Sequence, residues 1–438
     1  MIRASISNVS GSSATNVTLY RGAHEFGSSS PPTRWEPCRR RLDRSSTPLP
    51  RKRQLKFFAK LLLMMLSVLS ACLAAAAQGC DGSDALACSL NGVCTAGACD
   101  CDVGWQGAAC GVLDLVPQAV VAYGFPSNLT SSWGGGPPVF DGTKWHLFVS
   151  EMAGHCGMGT WDRMSQSVHA VSAKREGPYT RAGLAITTQS HNTYYAYSPL
   201  DKMHLIYSIF GGTSPESCNV YKTCTDGTTP GHPGGVKPDS WLPAPTCADG
   251  LNPGAHVHYS TSLDGPWMNA GRIKVSTTGC KACGDSNPAP YIFPNGTVLM
   301  LGRDQDRANG KHNIFIYRAE SWNATYEWVD GGGVNGTVAG IGDGHTTTED
   351  PVLYKGRRGF HVLFHSHPSL THGYSLDGIT WKWSNKVMGP PVQPGGDNER
   401  PRVSVDANGD LAVLFVGQLV VKDHDGARTA AYVPNPKK

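Results

Sequence analysis

From residue 118 onward, apolar residues come in short runs that stop at turn residues, with no recurrence every three or four positions. Trp145-His-Leu-Phe-Val149, Val298-Leu-Met-Leu301 and Leu411-Ala-Val-Leu-Phe415 are such runs. Beside them stand Asp141-Gly142, Asn295-Gly296 and Asn408-Gly409, dipeptides that accept the left-handed backbone of a tight hairpin. This pattern predicts strands paired through turns and no long helix. Aligning the runs exposes a loose repeat of five units: Pro137–Val149, Tyr197–Tyr207, Asn287–Leu301, Glu349–His365 and Glu399–Phe415. Each predicts two inner strands of a sheet. Outer hairpins come after three of them, at Val168–Tyr179, His256–Trp267 and His372–Trp381. Five sheets of this size predict an all-β chain, a five-bladed β-propeller over residues 118–425. Its second unit carries an insertion at 211–255, and residues 426–438 are expected to be a C-terminal tail.

Composition agrees with many tight turns. Gly and Pro supply 82 of 438 residues, and only 16% are charged. A long coiled coil needs far more Glu, Lys and Leu, and disorder of the whole chain is excluded by 40% apolar residues. The formal charge of +4 conceals a division. Residues 1–60 hold 12 of the 38 basic and 3 of the 34 acidic residues, so the remainder is acidic, with 26 against 31. The basic character therefore belongs to the N-terminal tail, and nucleic acid is not an expected partner.

That tail, residues 1–55, is rich in Ser, Pro, Thr and Arg and is expected to be disordered. Residues 56–78 read as a signal peptide or signal anchor. Arg51-Lys52-Arg53, Lys56 and Lys60 form the basic flank, Leu61–Ala77 the apolar stretch, and Ala74-Ala-Ala-Ala77 a small-residue cleavage region. Cleavage near Ala77 and retention of residues 57–77 in the membrane both place the chain beyond residue 78 outside the cytosol. A secreted or cell-surface protein is expected, touching membrane only through that segment.

Directly afterwards come Cys80, Cys88, Cys94, Cys99, Cys101 and Cys110, six in 31 residues. So short a segment cannot build a hydrophobic core and must be stapled. Its end, Cys99-Asp-Cys101-Asp-Val-Gly104-Trp105-Gln-Gly107-Ala-Ala-Cys110, closely resembles an EGF-like domain over residues 79–111. The resemblance implies the pairs Cys80–Cys94, Cys88–Cys99 and Cys101–Cys110, and a spacer or protein-interaction module. Gln78-Gly79 before the first cysteine lacks the acidic pair of calcium-binding members, so no calcium is expected there.

The repeat region resembles the five-bladed propellers related to family 43 glycoside hydrolases, in particular a branch from microbial eukaryotes. The matching pieces are Ser165–Tyr179, Asp264-Gly-Pro-Trp267, Asn287–Arg303, Glu349–His365, His372–Trp381 and Glu399–Asp410. The resemblance implies a funnel with three carboxylates: an Asp base in blade one, an Asp in blade three that orients the acid, and a Glu acid in blade four. Inverting hydrolysis needs an acid and a base roughly 6.5–9.5 Å apart. Glu349 falls at the acid position. In blade three Asn287 replaces Asp before proline, with Asp285 as the candidate substitute. In blade one Gly136 precedes Pro137, and Glu151 is the nearest candidate base. Loss of that base leaves open a non-catalytic glycan-binding or adhesion protein on the same scaffold.

Aromatic and charged residues near the expected inner strands suit sugar faces and hydroxyls: Trp133, Trp161, His191, Asn192, Asn287, Arg303, His361, His365, Glu399 and Arg400. No cofactor and no metal ligand set is assigned. His361 and His365, four apart on a strand, stand about 13 Å from each other, too far to share one ion. A central cation without histidine ligands stays open. Cys156, Cys218, Cys224, Cys247, Cys280 and Cys283 are expected to pair among themselves. Asn128, Asn295, Asn323 and Asn335 open N-glycosylation sequons. A glycan is the expected ligand or substrate, drawn from a cell wall or matrix.

Overall fold

The computed structural model describes residues 79–125, 130–212, 254–276, 286–303, 314–329, 348–366, 369–386, 398–420 and 426–437. The expected tail and apolar segment, most of the 211–255 insertion, Asp285, Asn128 and Asn335 lie outside them. Among the described residues, no helix is long and apolar enough to cross a membrane.

The repeat region is a five-bladed β-propeller. Blade one runs Ser132–Gly135, Trp145–Met152, Ser165–Ser172 and Thr180–Ile186. Blade two runs His191–Ser198, Met203–Ile209, Ala255–Ser260 and Met268–Arg272. Blade three runs Ser286–Ile292, Val298–Arg303, Ile314–Ala319 and Thr325–Trp328, extended by the parallel strand Lys274–Ser276. Blade four runs Thr348–Lys355, Phe360–Ser366, Ser369–Ser375 and Lys382–Lys386. Blade five takes three strands from the chain end, Asn398–Val405, Leu411–Leu419 and Ala427–Tyr432. Its fourth, Val120–Gly124, comes from the start of the repeat region and closes the ring.

Two boundaries differ from the sequence reading. Residues 427–432 are no tail, because they form the third strand of blade five, paired with Leu411–Leu419 on one side and Val120–Gly124 on the other. The inner strand of blade one is Ser132–Gly135, ahead of the predicted unit at Pro137–Val149. Val139–Phe140 makes only a two-residue addition to that sheet. The prolines at 137 and 138 lack the N–H that a ladder needs, so the strand ends before them.

In each blade the first strand in this order is innermost, and the five contact one another around the axis. Between blades lies the core, with Leu147, Phe148, Leu205, Ile206, Leu301, Ile316, Val362, Phe364, Leu414 and Phe415 shielded from solvent. The Asn-Gly turns work as their sequence predicts. Gly296 and Gly409 have φ of 86° and 83°, the region where a side chain is strained.

The EGF-like module has the three disulfides Cys80–Cys94, Cys88–Cys99 and Cys101–Cys110. Two short hairpins carry them, Gly92–Thr95 with Ala98–Cys101 and Trp105–Gln106 with Val112–Leu113. The module is packed against the propeller. Trp105 lies 4.5 Å from the His372 ring and 6.4 Å from His361. Arg358 pairs with Asp102, and Arg357 pairs with Asp410 and Asp102. Beyond the module, Val116 N–H donates to Val433 O, and Asn435 donates through its backbone and side chain to Asp114. The module sits over the turns after the inner strands of blades four and five, at their C-terminal ends.

Candidate functional site

The N-terminal end of every inner strand carries a bulge at the same place. Register breaks between Trp133 and Gly135, His191 and Tyr194, Ser286 and Ala289, Glu349 and Val352, and Glu399 and Arg402. Inside each bulge one residue has a left-handed backbone: Gly134 (φ 61°), Asn192 (60°), Asn287 (52°), Asp350 (55°) and Arg400 (52°). Such conformations are sparsely populated for residues with a side chain and mark constrained positions. Here a fivefold repeat of one bulge turns five polar or glycyl positions toward the axis.

These positions form a linked ring. Asn192 Nδ2 donates to Asn287 Oδ1 at 2.5 Å, and Asn287 Nδ2 donates to Asp350 Oδ1 at 2.6 Å. Arg400 Nη1 stands 3.0 Å from the same oxygen. A Cβ placed on Gly134 would lie 3.0 Å from Arg400 Cβ. The arginine stem therefore fills the space that a blade-one side chain would need. Asp350 has no exposed surface, and its Oδ2 and the Oδ1 of Asn192 are buried without a hydrogen-bond partner among the described residues. Both are acceptors, suited to a hydroxyl or a cation.

The residues just before the ring form the tier above it: Trp133, His191, Ser286, Glu349 and Glu399. In the four blades two to five, the second strand sets Ile209, Arg303, His365 and Gly417 opposite these positions. This tier is closed over blades one and two. Trp133 is 2% exposed and pressed on Gly417, where a Cβ would come within 2.8 Å of the indole. Its expected role as a sugar platform is corrected to one of packing between blades five and one. Trp161 covers His191 at 4.9 Å between rings. Ser165 Oγ donates to Ser190 O, so His191 Nδ1 donates to Ser165 Oγ and Nε2 is the bare acceptor. Burial, and then the charge of Arg400, hold the His191 pKa well below its ordinary value, so the ring is neutral.

Among the described residues, blades three to five carry the part-exposed polar side chains of the tier. Arg303 Nη1 donates to Glu349 Oε2 at 2.6 Å, with side chains 12% and 26% exposed. Glu399 is also part-exposed. Asp350, His365 and Glu399 each bring one ligand atom within 4.8 Å of the others. If a cation were bound at the centre, this group would hold it, and His365 would then be among the ligands.

Other expected residues go elsewhere. His361 lies at the opposite end of its strand, stacked on Tyr354 and His372 beneath the EGF-like Trp105, so it does not line the funnel. Glu151 is buried and already engaged, accepting from Tyr123 Oη and from Gln166 Nε2 at 2.8 Å, with Arg181 Nε at 3.4 Å. In blade one the position that corresponds to Asn192, Asn287, Asp350 and Arg400 is Gly134, two residues before Gly136. The residues that sequence reading missed are Gly134 and Asp350. Asp350 was visible in the repeated x-Pro of Asn287-Pro288, Asp350-Pro351 and Arg400-Pro401, whereas Gly134 has no proline after it. Asn295 and Asn323 are exposed in hairpin turns of blade three. Cys156 is disulfide-bonded, and the other five propeller cysteines lie outside the described residues.

Known proteins agree with this architecture. The family model of the Teneurin-like EGF domain matches residues 86–112. No curated protein matches the sequence. Among solved structures, a glycoside hydrolase shares 12% identity over 74% of this chain and 93% of its own, with a TM-score of 0.50. A family 117 glycoside hydrolase of the marine bacterium Zobellia galactanivorans shares 13%, over 72% of this chain and 89% of its own, with a TM-score of 0.47. An exo-beta-1,3-galactanase from Phanerochaete chrysosporium, solved with beta-1,3-galactotriose, shares 10%. There the match covers 73% of this chain and 64% of that one, with a TM-score of 0.47. This chain is thus an EGF-like module joined to a glycosidase-like propeller, a likeness of fold.

Proposed function

We propose that this is an exported or surface-anchored protein whose propeller binds a cell-wall or matrix glycan in the sector of blades three to five, without hydrolysing it. One observation carries the reading. In blades one and three, where the resemblance to family 43 glycoside hydrolases implies a base and an orienting carboxylate, the ring positions are Gly134 and Asn287. Gly134 is filled against by Arg400, and both amide ends of Asn287 are spent on ring neighbours. Glu349 and Arg303 instead present a carboxylate and a guanidinium side by side, a pair that can accept from one sugar hydroxyl and donate to another. Three disulfides in an EGF-like module support an oxidising, extracellular setting.

The second reading is hydrolysis with Glu349 as acid, favoured by its place in Glu349-Asp350-Pro351. A glycan array and a turnover panel with the purified protein and its Glu349→Gln and Arg303→Ala forms separate the two. Binding without turnover, weakened about tenfold or more in both variants, is expected from one lost charged hydrogen bond of about 1.5–3 kcal/mol. Turnover abolished by Glu349→Gln selects the enzyme. Neither binding nor turnover would leave a structural protein.

A further inference from the structure

Among the described residues, two pairs of imidazoles face each other within the propeller. In blade one, His146 Nδ1 and His169 Nε2 share a hydrogen at 2.7 Å, and their outer nitrogens face Asp141 and Asp264. In blade four, the pair His361 and His372 is closed at one end only. His372 Nδ1 stands 2.6 Å from Ser384 Oγ, and that hydroxyl gives its own hydrogen to His372 O at 3.3 Å. His372 therefore donates from Nδ1, and its Nε2 is an acceptor. His361 Nδ1, 3.1 Å away, donates to it. Both rings are neutral, because burial above all holds their pKa values well below the ordinary one. His361 Nε2 is then a bare acceptor, and no residue among those described donates to it.

His361 lines a small pocket between the module and the propeller. Tyr354, Gly356 and His361 of blade four and Asp410 of blade five border it on one side, and Leu90 and Trp105 of the module on the other. The space admits about one water molecule. A Cβ on Gly356 would lie 2.8 Å from His361 Nε2, so only a residue without a side chain leaves that nitrogen uncovered. Two more of the lining residues carry orphaned polar atoms. Tyr354 Oη and Asp410 Oδ1 are buried with no hydrogen-bond partner among the described residues. The other oxygen of Asp410 is already held by Arg357 Nη2. Buried polar atoms left unpaired are costly, so each needs a partner.

We propose that docking of the EGF-like module traps one water molecule in this pocket, bonded to Tyr354 Oη, His361 Nε2 and Asp410 Oδ1. The hydrogens match. Tyr354 has a hydroxyl hydrogen to give, whereas His361 Nε2 and the Asp410 carboxylate oxygen have only lone pairs. A water that accepts from the first and donates to the other two satisfies all three. Three bonds are also the usual number for a buried water. A metal ion offers no acceptor for the Tyr354 hydrogen. The water links blade four to blade five, and the module closes it off through Leu90 and Trp105. The seam is thus wet at one point, and the lifetime of that water reports how firmly the module is docked.

The test is a high-resolution crystal structure of the whole disulfide-bonded protein, with water-oxygen relaxation dispersion to count long-lived buried waters in solution. The expected density is a single peak about 2.6–3.2 Å from all three atoms. Gly356→Ala places a methyl group beside His361 Nε2 and should remove one long-lived water from the count. Tyr354→Phe keeps the ring and deletes the donor. The residence time of the water should then fall about tenfold, the effect of one lost hydrogen bond. Trp105→Ala opens the module side and should shorten it further. Should Gly356→Ala fail to fold, the isosteric Tyr354→Phe carries the decision. A pocket empty of density in the unaltered protein overturns the proposal, and so do contacts of about 2.4 Å, which mark a metal ion. A residence time unchanged in both Tyr354→Phe and Trp105→Ala overturns it as well.

Discussion

Asp350 and Arg400 show what one residue pair decides. Both are buried and oppositely charged, and each sits in a left-handed bulge next to a proline. Charges taken out of water need partners, and removing one partner strands the other. Asp350→Asn is expected to lower stability by about 3–5 kcal/mol, read from urea unfolding, because Arg400 is left buried without its anion. The double change Asp350→Asn with Arg400→Met should cost less than the two single changes added together. Additive costs would show that the ring is not coupled. Their residue types are legible in the sequence, and so is their place before proline. Their partnership is not, because 50 positions of chain separate them.

At the scale of elements, the EGF-like module and blade four share one seam. Trp105 lies over a stacked pair of histidines, Gly104 abuts Leu411, and Gly359 abuts Leu90. Trp105→Ala removes a buried indole and should cost about 3–5 kcal/mol. It is expected to loosen the module, so that limited proteolysis cuts near residue 111 in the variant and not in the unaltered protein. Equal resistance in both would mean that the salt bridges of Asp102 suffice. The cysteine spacing marked the module, and its resemblance to an EGF-like domain implied the pairing, which six cysteines alone leave open among 15 connectivities. Its docking was not visible. A lone Trp beside Gly in such a module reads equally as an internal packing residue.

The seam also ties the whole molecule to pH. His361 and His372 are both buried. Desolvation, and then Arg358, lower the His361 pKa to about 3. Desolvation, and then His361, hold that of His372 well below its usual value. Folded, both stay neutral, whereas the unfolded chain takes up protons near pH 6.5. The unfolded state therefore binds more protons below that pH, and stability falls as pH drops from about 6.5 toward 3. Each histidine contributes up to about 1.4 kcal/mol per pH unit in that window. Thermal unfolding at pH 7 and pH 4.5 should show a fall in Tm, with a shallower slope in the His361→Gln, His372→Gln double variant. An unchanged slope would place the acid sensitivity elsewhere. The module and the propeller should melt in one transition, because the chain enters the propeller at residues 114–116 tied to its C-terminal end at 433–435.

Strand alternation, turn dipeptides and cysteine spacing are local, and they determined the all-β class, the five repeats and the place of the stapled module, whose pairing its EGF-like resemblance implied. A β-turn or a short disulfide loop is decided by the residues inside it. What joins distant parts of the chain came only from the fold: the closure of blade five by Val120–Gly124, the five-membered ring of Gly134, Asn192, Asn287, Asp350 and Arg400, and the two histidine pairs, one in blade one and one in blade four. The sequence showed Glu349 and Arg303 as candidates 46 positions apart, and pairing them required the sheet register that sets Ser286 against Arg303 and Glu349 against His365. Register depends on packing between strands and blades, a long-range property that no short stretch of sequence contains.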